Sequence, residues 1–250
     1  KFNMEVTLVT NGRRLADFKY AKQLKDVGLD RVVVSVEGWD EVSHNYITQA
    51  TSYVETKNGV KMAVKVGLMV ETLTTISTLN VANIEKIYEL LSSWNVKSID
   101  FNFAIPQLKE SGGASWEFTP DLKTAVKKIE SLYGIVKRQK KQKFYITGTI
   151  PLCLFSKKNI KDLIGGAWVN FGCHMFGGKG IAFDAEGNVL PCTHFAGYPL
   201  AMENINFDNK SKINDFKVFL NRGLPKKFRN ELWRYPSKKC CDCEYWGYCV

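Results

Sequence analysis

The chain has 250 residues, 45% of them hydrophobic, which suffices for one core or for a main domain with a smaller appendage. Its apolar runs fall far short of the roughly 18 residues that cross a bilayer, so no membrane span is predicted and we expect a cytoplasmic protein. The net charge of +10 comes from 35 Lys and Arg against 25 Asp and Glu. The lysines are scattered along predicted helix faces, which favours solubility over nucleic-acid binding and leaves an acidic peptide as a further alternative.

Strands and helices alternate over the first hundred residues. The predicted strands cover residues 4–10, 31–36, 68–77 and 97–104. The predicted helices follow the Asn11-Gly12 turn up to Gly28, cover residues 53–66, and run from an Asn83 cap to Asn95. Apolar residues predict one buried face on the first of these helices (Leu15, Phe18, Ala21, Leu24 and Val27) and one on the last (Ile84, Ile87, Tyr88 and Leu91). The run RVVVSV at 31–36 predicts a strand buried on both faces. Such βαβ units predict a parallel sheet, either doubly wound or part of a barrel.

Polar residues stand at the carboxyl ends of these predicted strands, where parallel sheets place their active sites. The segments are Thr10-Asn11-Gly12, Ser35-Val36-Glu37-Gly38, Ser77 to Asn80, and Ile105-Pro106. They suit a small polar ligand, but caps and turns use the same residue types, so both interpretations stay open.

The pattern changes after Pro106. Thr119-Pro120 predicts the start of a helix that reaches about Arg138, with Thr119 as its N-cap, and a strand follows at residues 144–149. A linker containing Gly165-Gly166 then leads to short strands and turns. Residues 180–183 and 188–190 predict a β-hairpin in which Gly187 adopts a positive φ.

Seven cysteines predict metal binding, because a reducing compartment and an odd count both argue against disulfides. Cys173 and Cys192 flank the predicted hairpin, and Cys240-x2-Cys243-x5-Cys249 forms a tight group. Zinc and iron–sulfur clusters both use such thiolates, and single cysteines from a hairpin favour clusters modestly. Cys153, in the apolar stretch PLCLF, is expected in the core, and Cys241 is expected to point away from Cys240.

The cysteine spacing, with Gly187 between Cys173 and Cys192, resembles the SPASM motif of radical SAM enzymes up to its fifth cysteine. Thr10-Asn11-Gly12 and Ser35-Val36-Glu37-Gly38 are similar to the TNG and SxDG segments of the radical SAM barrel, and Ser77 to Asn83 is similar to the segment that follows. The resemblance covers nearly the whole chain. It implies an α/β fold with a partial (β/α) radical SAM barrel at 1–110, a bridging region at 111–171 and a small SPASM domain at 172–250.

The resemblance also implies ligands and partners. Cys240, Cys243 and Cys249 would bind an outer auxiliary [4Fe–4S] cluster, and Cys173 and Cys192 an inner one. Ser35 would lie near the carboxylate or ribose of S-adenosylmethionine, with Asn11 and Glu37 in the same pocket. A peptide substrate and a small electron donor such as flavodoxin or ferredoxin would be the partners, and a 5′-deoxyadenosyl radical would abstract hydrogen from the peptide.

Several family features are absent from this sequence. It lacks the Cys-x3-Cys-x2-Cys loop, the Gly-Gly-Glu segment and the last two SPASM cysteines, so we expect the radical-generating cluster to be bound outside this segment and the segment alone to be inactive. Thr193 stands where sulfatase-maturating relatives carry Asp, which argues against that activity. Lys179 replaces an extra cluster cysteine of some relatives, so the inner cluster is expected to keep an open iron, unless His174 or His194 fills it.

The predicted function is maturation of a ribosomally made peptide, with thioether formation at a substrate cysteine as the sharper hypothesis. An individual catalytic residue is not identified. The alternative is a non-catalytic iron–sulfur electron carrier or a zinc-stabilised binding module.

Overall fold

The computed structural model describes residues 4–109, 112–139, 142–148, 150–165, 169–170, 182–190, 192–195, 203–204, 226–227, 230–231 and 238–249. The chain divides into two compact units, Lys1–Asn170 and Phe171–Val250. Within the described ranges, no helix combines the length and the apolar character needed to cross a membrane.

Eight strands are described in the first unit. In chain order they are β1 (Thr7–Thr10), β2 (Arg31–Ser35), β3 (Met69–Ile76), β4 (Ser98–Phe103), β5 (Gln107–Leu108), β6 (Ala114–Ser115), β7 (Lys143–Thr147) and β8 (Val169–Asn170). Six of them form a parallel sheet in the order β1-β2-β3-β4-β7-β8, while β5 and β6 pair as a separate antiparallel hairpin. A doubly wound sheet reverses its strand order at one point, and this sheet does not, so barrel-type winding is the alternative that the structure supports.

Six α-helices of the first unit are described. They are α1 (Phe18–Asp26), α2 (Glu41–Thr48), α3 (Tyr53–Lys65), α4 (Ile84–Ser92), α5 (Leu122–Gln139) and α6 (Lys157–Gly165). The sequence analysis missed α2 and α6, the latter in a stretch interpreted as a linker. A capping box starts α2: the Asp40 side chain accepts the Ser43 N–H at 2.8 Å, and the Ser43 hydroxyl accepts the Asp40 N–H at 3.1 Å.

The core lies between the sheet and these helices. Val32, Val34 and Phe101 are fully buried on the helix-facing side of β2 and β4. The predicted apolar face of α4 is confirmed, because its four members, Ile84, Ile87, Tyr88 and Leu91, have no exposed surface. On β2, however, Val33 and Ser35 are only half-buried, so the prediction of burial on both faces holds for one face.

The apolar face predicted for the first helix is wrong. A 3-10 turn at Arg13–Ala16 precedes α1, and Asp17 separates the two by accepting the Lys19 N–H at 2.8 Å. The interruption rotates the later residues, so that Phe18 and Val27 are 48% and 81% exposed instead of buried.

Two further local predictions are corrected. The helix cap is Asp121, whose carboxylate accepts the Thr124 N–H at 2.8 Å, and not Thr119, because a carboxylate is the better acceptor at the positive end of a helix. Cys153 is exposed. It lies in a 3-10 turn with three residues per turn, which directs Leu152 and Phe155 into the core together and leaves Cys153 outside.

The second unit contains a three-stranded antiparallel sheet of β9 (Ala182–Phe183), β10 (Asn188–Leu190) and β11 (Glu203–Asn204), with β10 central. The predicted hairpin is confirmed as β9 and β10. Its turn is held by the Asp184 carboxylate, which accepts the N–H groups of Glu186 and Asn188 at 3.1 and 2.8 Å. Gly187 has φ +83°, as predicted.

Candidate functional site

The candidate site lies where β1, β2 and β3 end. Thr10 is in register with Val34, whose side chain faces the helices, so the next residues, Asn11 and Ser35, lie on the opposite face. Glu37 lies on that same face by alternation. Neighbouring strands are about 4.8 Å apart, so the chain gathers these three polar residues at one edge of the sheet.

The turn after β1 is held closely against α3. The Thr56 hydroxyl donates to the Asn11 carbonyl at 2.9 Å, and the Asn11 side chain accepts the Arg13 N–H at 3.2 Å. Gly12 has φ +77°, which favours glycine. A Cβ on Gly59 would lie 2.0 Å from the Gly12 carbonyl oxygen, so only glycine lets the helix approach this near.

Glu37 is held by hydrogen bonds to its backbone and its side chain. Its N–H donates to His44 Nδ1 at 3.3 Å, and its carbonyl accepts from Asn80 Nδ2 at 3.0 Å. Its carboxyl Oε2 accepts the Thr75 N–H at 2.9 Å. Burial raises the pKa of Glu37 to about 7, although the Thr75 hydrogen bond opposes the rise, so the carboxyl group exchanges its proton near neutral pH.

Two of the residues around Glu37 escaped the sequence analysis as functional candidates. Asn80 has no exposed surface, accepts the Ser77 N–H at 2.9 Å and donates to the Thr75 carbonyl at 2.9 Å as well as to Glu37. Its segment was recognised as a polar strand end and for its family resemblance, without a role for Asn80. His44 is 2% exposed and packs edge-on against Tyr53, with ring centroids 5.8 Å apart. Burial lowers the pKa of His44, so its ring is neutral and Nδ1 can accept.

Another carboxyl group with a raised pKa lies on the same sheet face as Glu37. Asp100 is in register with Leu73, which is in register with Ser35. Burial raises the pKa of Asp100 to about 6. Nearby, Arg31 Nη1 lies 3.6 Å from Glu71 Oε2. No turn or motif marks Asp100 in the sequence, because only the strand register shows that it shares a face with Ser35 and Glu37.

The predicted cluster ligands lie in the second unit. Cys240, Cys243 and Cys249 occupy one short segment that ends in the helix α7 (Trp246–Cys249), and all three are half-buried. The Cys243 N–H donates to the Cys240 carbonyl at 3.2 Å, which makes the Cys-x2-Cys segment a turn. Cys192 follows β10, with its Sγ 3.5 Å from His194 Nδ1. Cys173, His174 and Lys179 lie outside the described residues.

The thiols suit iron by chemical type, since Cys thiolates are the usual ligands of iron–sulfur clusters. The positions of these thiols in the structure give less support for a cluster. In the portion of the chain that is described, no three His, Cys, Asp or Glu side chains are grouped so that they could hold a metal ion. The cluster assignment therefore rests on residue type and spacing.

Comparison with known proteins finds a family match over the first part of the chain. Residues 1–93 match the family model described as Radical SAM superfamily. The probable GTP 3′,8-cyclase of Methanococcus maripaludis (strain S2) is 44% identical over 64 residues, which are 26% of this chain and 21% of that protein. The AdoMet-dependent heme synthase of Methanosarcina barkeri is 25% identical over 260 residues, covering 99% of this chain and 68% of that protein.

Two solved structures share the fold at low sequence identity. "Native anSMEcpe with bound AdoMet" has a TM-score of 0.70 at 16% identity, and the match covers 98% of this chain and 64% of that one. Streptococcus suis SuiB bound to S-adenosylmethionine has a TM-score of 0.66 at 14% identity, covering 98% and 54%. The chain thus spans about a fifth of the first sequence relative and under two thirds of these structures. The family model thus matches residues 1–93, and the two solved structures show a shared fold.

Proposed function

We propose that this chain is the barrel and auxiliary-cluster portion of a radical SAM/SPASM enzyme that modifies a ribosomally made peptide in the cytoplasm. The observation that carries the proposal is the gathering of Asn11, Ser35 and Glu37 at the carboxyl edge of a sheet whose sequence matches the radical SAM family. Solved structures of the same fold include SuiB bound to its precursor peptide SuiA, which supports a peptide as substrate.

The residues of this edge have chemistry suited to S-adenosylmethionine. The Ser35 hydroxyl and the Asn11 amide can both donate and accept hydrogen bonds, and the Glu37 carboxyl group can accept from ribose hydroxyls. Glu37 is the best-defined of the three, because its backbone and one carboxyl oxygen are already held.

The cysteines would hold the metal groups. Cys240, Cys243 and Cys249 would ligate an outer auxiliary [4Fe–4S] cluster, and Cys173 with Cys192 an inner one. When bound, iron–sulfur clusters supply electron transfer, and a small donor such as flavodoxin or ferredoxin would deliver the electrons. Thioether formation at a substrate cysteine is the finer hypothesis, with an open iron on the inner cluster as its requirement.

A second candidate is a small-molecule substrate. The sequence relatives are named for GTP and heme, and the heme synthase match extends over 99% of this chain. The edge residues proposed for S-adenosylmethionine serve both candidates, so the substrate test is separate from the cofactor test.

The test is anaerobic reconstitution of the full-length protein, followed by iron analysis and product analysis. We expect more than about eight irons per chain, since each Cys-ligated cube holds four. Incubation with S-adenosylmethionine and a reductant should yield 5′-deoxyadenosine. A cysteine-containing precursor peptide should lose two hydrogens on thioether formation, whereas GTP should remain unchanged.

Each result decides between the candidates. Conversion of GTP or a porphyrin without change to the peptide would favour the small-molecule candidate. Stoichiometric zinc without iron would refute the enzyme and support the zinc-stabilised binding module. Iron without 5′-deoxyadenosine would support the electron carrier.

A further inference from the structure

We propose that His44 and Asn80 are positioning residues that hold the Glu37 backbone from two sides and thereby direct the Glu37 carboxyl group at the bound cofactor. The inference rests on the proposed function, in which Glu37 contacts S-adenosylmethionine. It assigns roles to two residues that lie outside the cofactor contact itself and act through a third.

Both polar groups of the Glu37 backbone are hydrogen-bonded. His44 Nδ1 accepts the Glu37 N–H at 3.3 Å, and Asn80 Nδ2 donates to the Glu37 carbonyl at 3.0 Å. The two contacts come from different elements, α2 and the turn after β3. The Glu37 backbone is therefore fixed from both sides, as a strand residue would be, although β2 ends at Ser35.

The groups that hold Glu37 are themselves fixed in position. Asn80 is completely buried, and its amide also bonds the Ser77 N–H and the Thr75 carbonyl, so its orientation is determined by three partners. A Cβ on Gly38 would lie 2.2 Å from the His44 backbone nitrogen, so the chain after Glu37 is in direct contact with α2. Both holding residues are buried, with His44 2% exposed and Asn80 completely buried, which restricts their movement.

The fixed backbone also determines where the Glu37 carboxyl group lies. With its backbone held, Glu37 keeps one oxygen on the Thr75 N–H at 2.9 Å, and the burial of the carboxyl group raises its pKa to about 7 against the effect of that hydrogen bond. Loss of either backbone contact lets the carboxyl group move toward water. Its pKa should then fall toward 4.5, and its contact with a bound ribose should weaken.

The experiment compares substitutions that keep or remove the acceptor at position 44. His44→Asn retains an oxygen that can accept the Glu37 N–H, whereas His44→Leu fills the buried space without an acceptor. Asn80→Ala loosens Glu37 independently, should His44→Leu not fold. Thr72→Val is the matched control, because the Thr72 hydroxyl is also buried in this sheet and has no hydrogen-bond partner among the residues described.

Two measurements are made on the reconstituted full-length protein, after thermal unfolding has shown which variants fold. The pKa of Glu37 is followed by NMR of a carboxyl-labelled sample, with Glu37→Gln to assign the signal. The dissociation constant for S-adenosylmethionine is measured by equilibrium dialysis.

We expect His44→Leu and Asn80→Ala to move the Glu37 titration toward acid pH and to weaken cofactor binding about tenfold, as for the loss of one buried hydrogen bond. His44→Asn and Thr72→Val should titrate and bind like the wild type. Equal defects in His44→Asn and His44→Leu, or wild-type titration in folded His44→Leu and Asn80→Ala, would overturn the positioning role. A shifted titration with unchanged affinity would instead refute the contact between Glu37 and the cofactor, and with it the proposed direction of the carboxyl group.

Discussion

At the scale of single residues, Glu37 shows what burial does to an ionisable group. Its raised pKa has burial as the first cause, and the Thr75 N–H is the one group that opposes it. A proton bound more tightly in the folded chain than in the unfolded chain ties folding stability to pH.

The sign of this dependence follows from the two pKa values. The folded value of about 7 exceeds the ordinary 4.5, so the contribution to stability is fully present below pH 4.5 and is lost as the pH rises through 7. The difference between these two pKa values corresponds to about 3 kcal/mol in the free energy of unfolding.

Glu37→Gln removes the titration and keeps an oxygen for the Thr75 N–H. Between pH 5 and pH 8 we expect the free energy of unfolding of the wild type to fall by about 2 to 3 kcal/mol more than that of the variant. Urea unfolding of both proteins at the two pH values measures the difference. Parallel pH dependences would show that Glu37 titrates normally.

At the scale of elements, the approach of α3 to the turn after β1 depends on one glycine. Gly59 packs on the Gly12 carbonyl, and the Thr56 hydroxyl beside it bonds the Asn11 carbonyl at 2.9 Å. The helix therefore determines where Asn11 stands at the candidate site.

Gly59→Ala and Gly134→Ala should have opposite effects on stability, although both replace a helical glycine. A Cβ at Gly59 meets backbone at 2.0 Å, so we expect a loss of about 2 kcal/mol or more and weaker cofactor binding. At Gly134 the nearest atom is an Arg138 side-chain nitrogen at 3.8 Å, so the better helix propensity of Ala should add about 0.5 to 1 kcal/mol.

Thermal unfolding of the two glycine variants checks this prediction. Destabilisation by both substitutions would show that the contact between Gly59 and Gly12 is not the cause.

At the scale of the whole molecule, the proposed cofactor residues and the proposed auxiliary-cluster ligands belong to different compact units. Asn11, Ser35 and Glu37 lie in the first, and Cys240, Cys243 and Cys249 in the second. Damage to a cluster should therefore leave the cofactor edge folded.

Cys243→Ala should lose about four irons per chain while the dissociation constant for S-adenosylmethionine changes less than twofold. Cys153→Ala is the control, because Cys153 is exposed and belongs to neither predicted cluster. Iron analysis and equilibrium dialysis on the reconstituted protein test both statements. Full iron content in Cys243→Ala would remove Cys243 from the ligand set.

The sequence by itself determined the strands β1 to β4 and β7, the helices α3 to α5 and the hairpin at Gly187. These features depend on local hydrophobic periodicity and on turn residues, which short segments carry on their own. It also placed Asn11, Ser35 and Glu37 at strand ends. Where two local signals compete, the sequence prediction was wrong. It took Thr119 instead of Asp121 as the helix cap, and it missed the interruption at Asp17.

Only the tertiary structure decided the strand order, the shared sheet face of Glu37 and Asp100, and the roles of His44 and Asn80. His44 reaches Glu37 from α2, and Asn80 reaches it from the turn after β3, across 43 residues of chain. Such contacts depend on strand register and on how closely elements pack, which residue type and spacing do not encode locally. For the same reason the raised pKa of Glu37 follows from burial and not from its sequence neighbours.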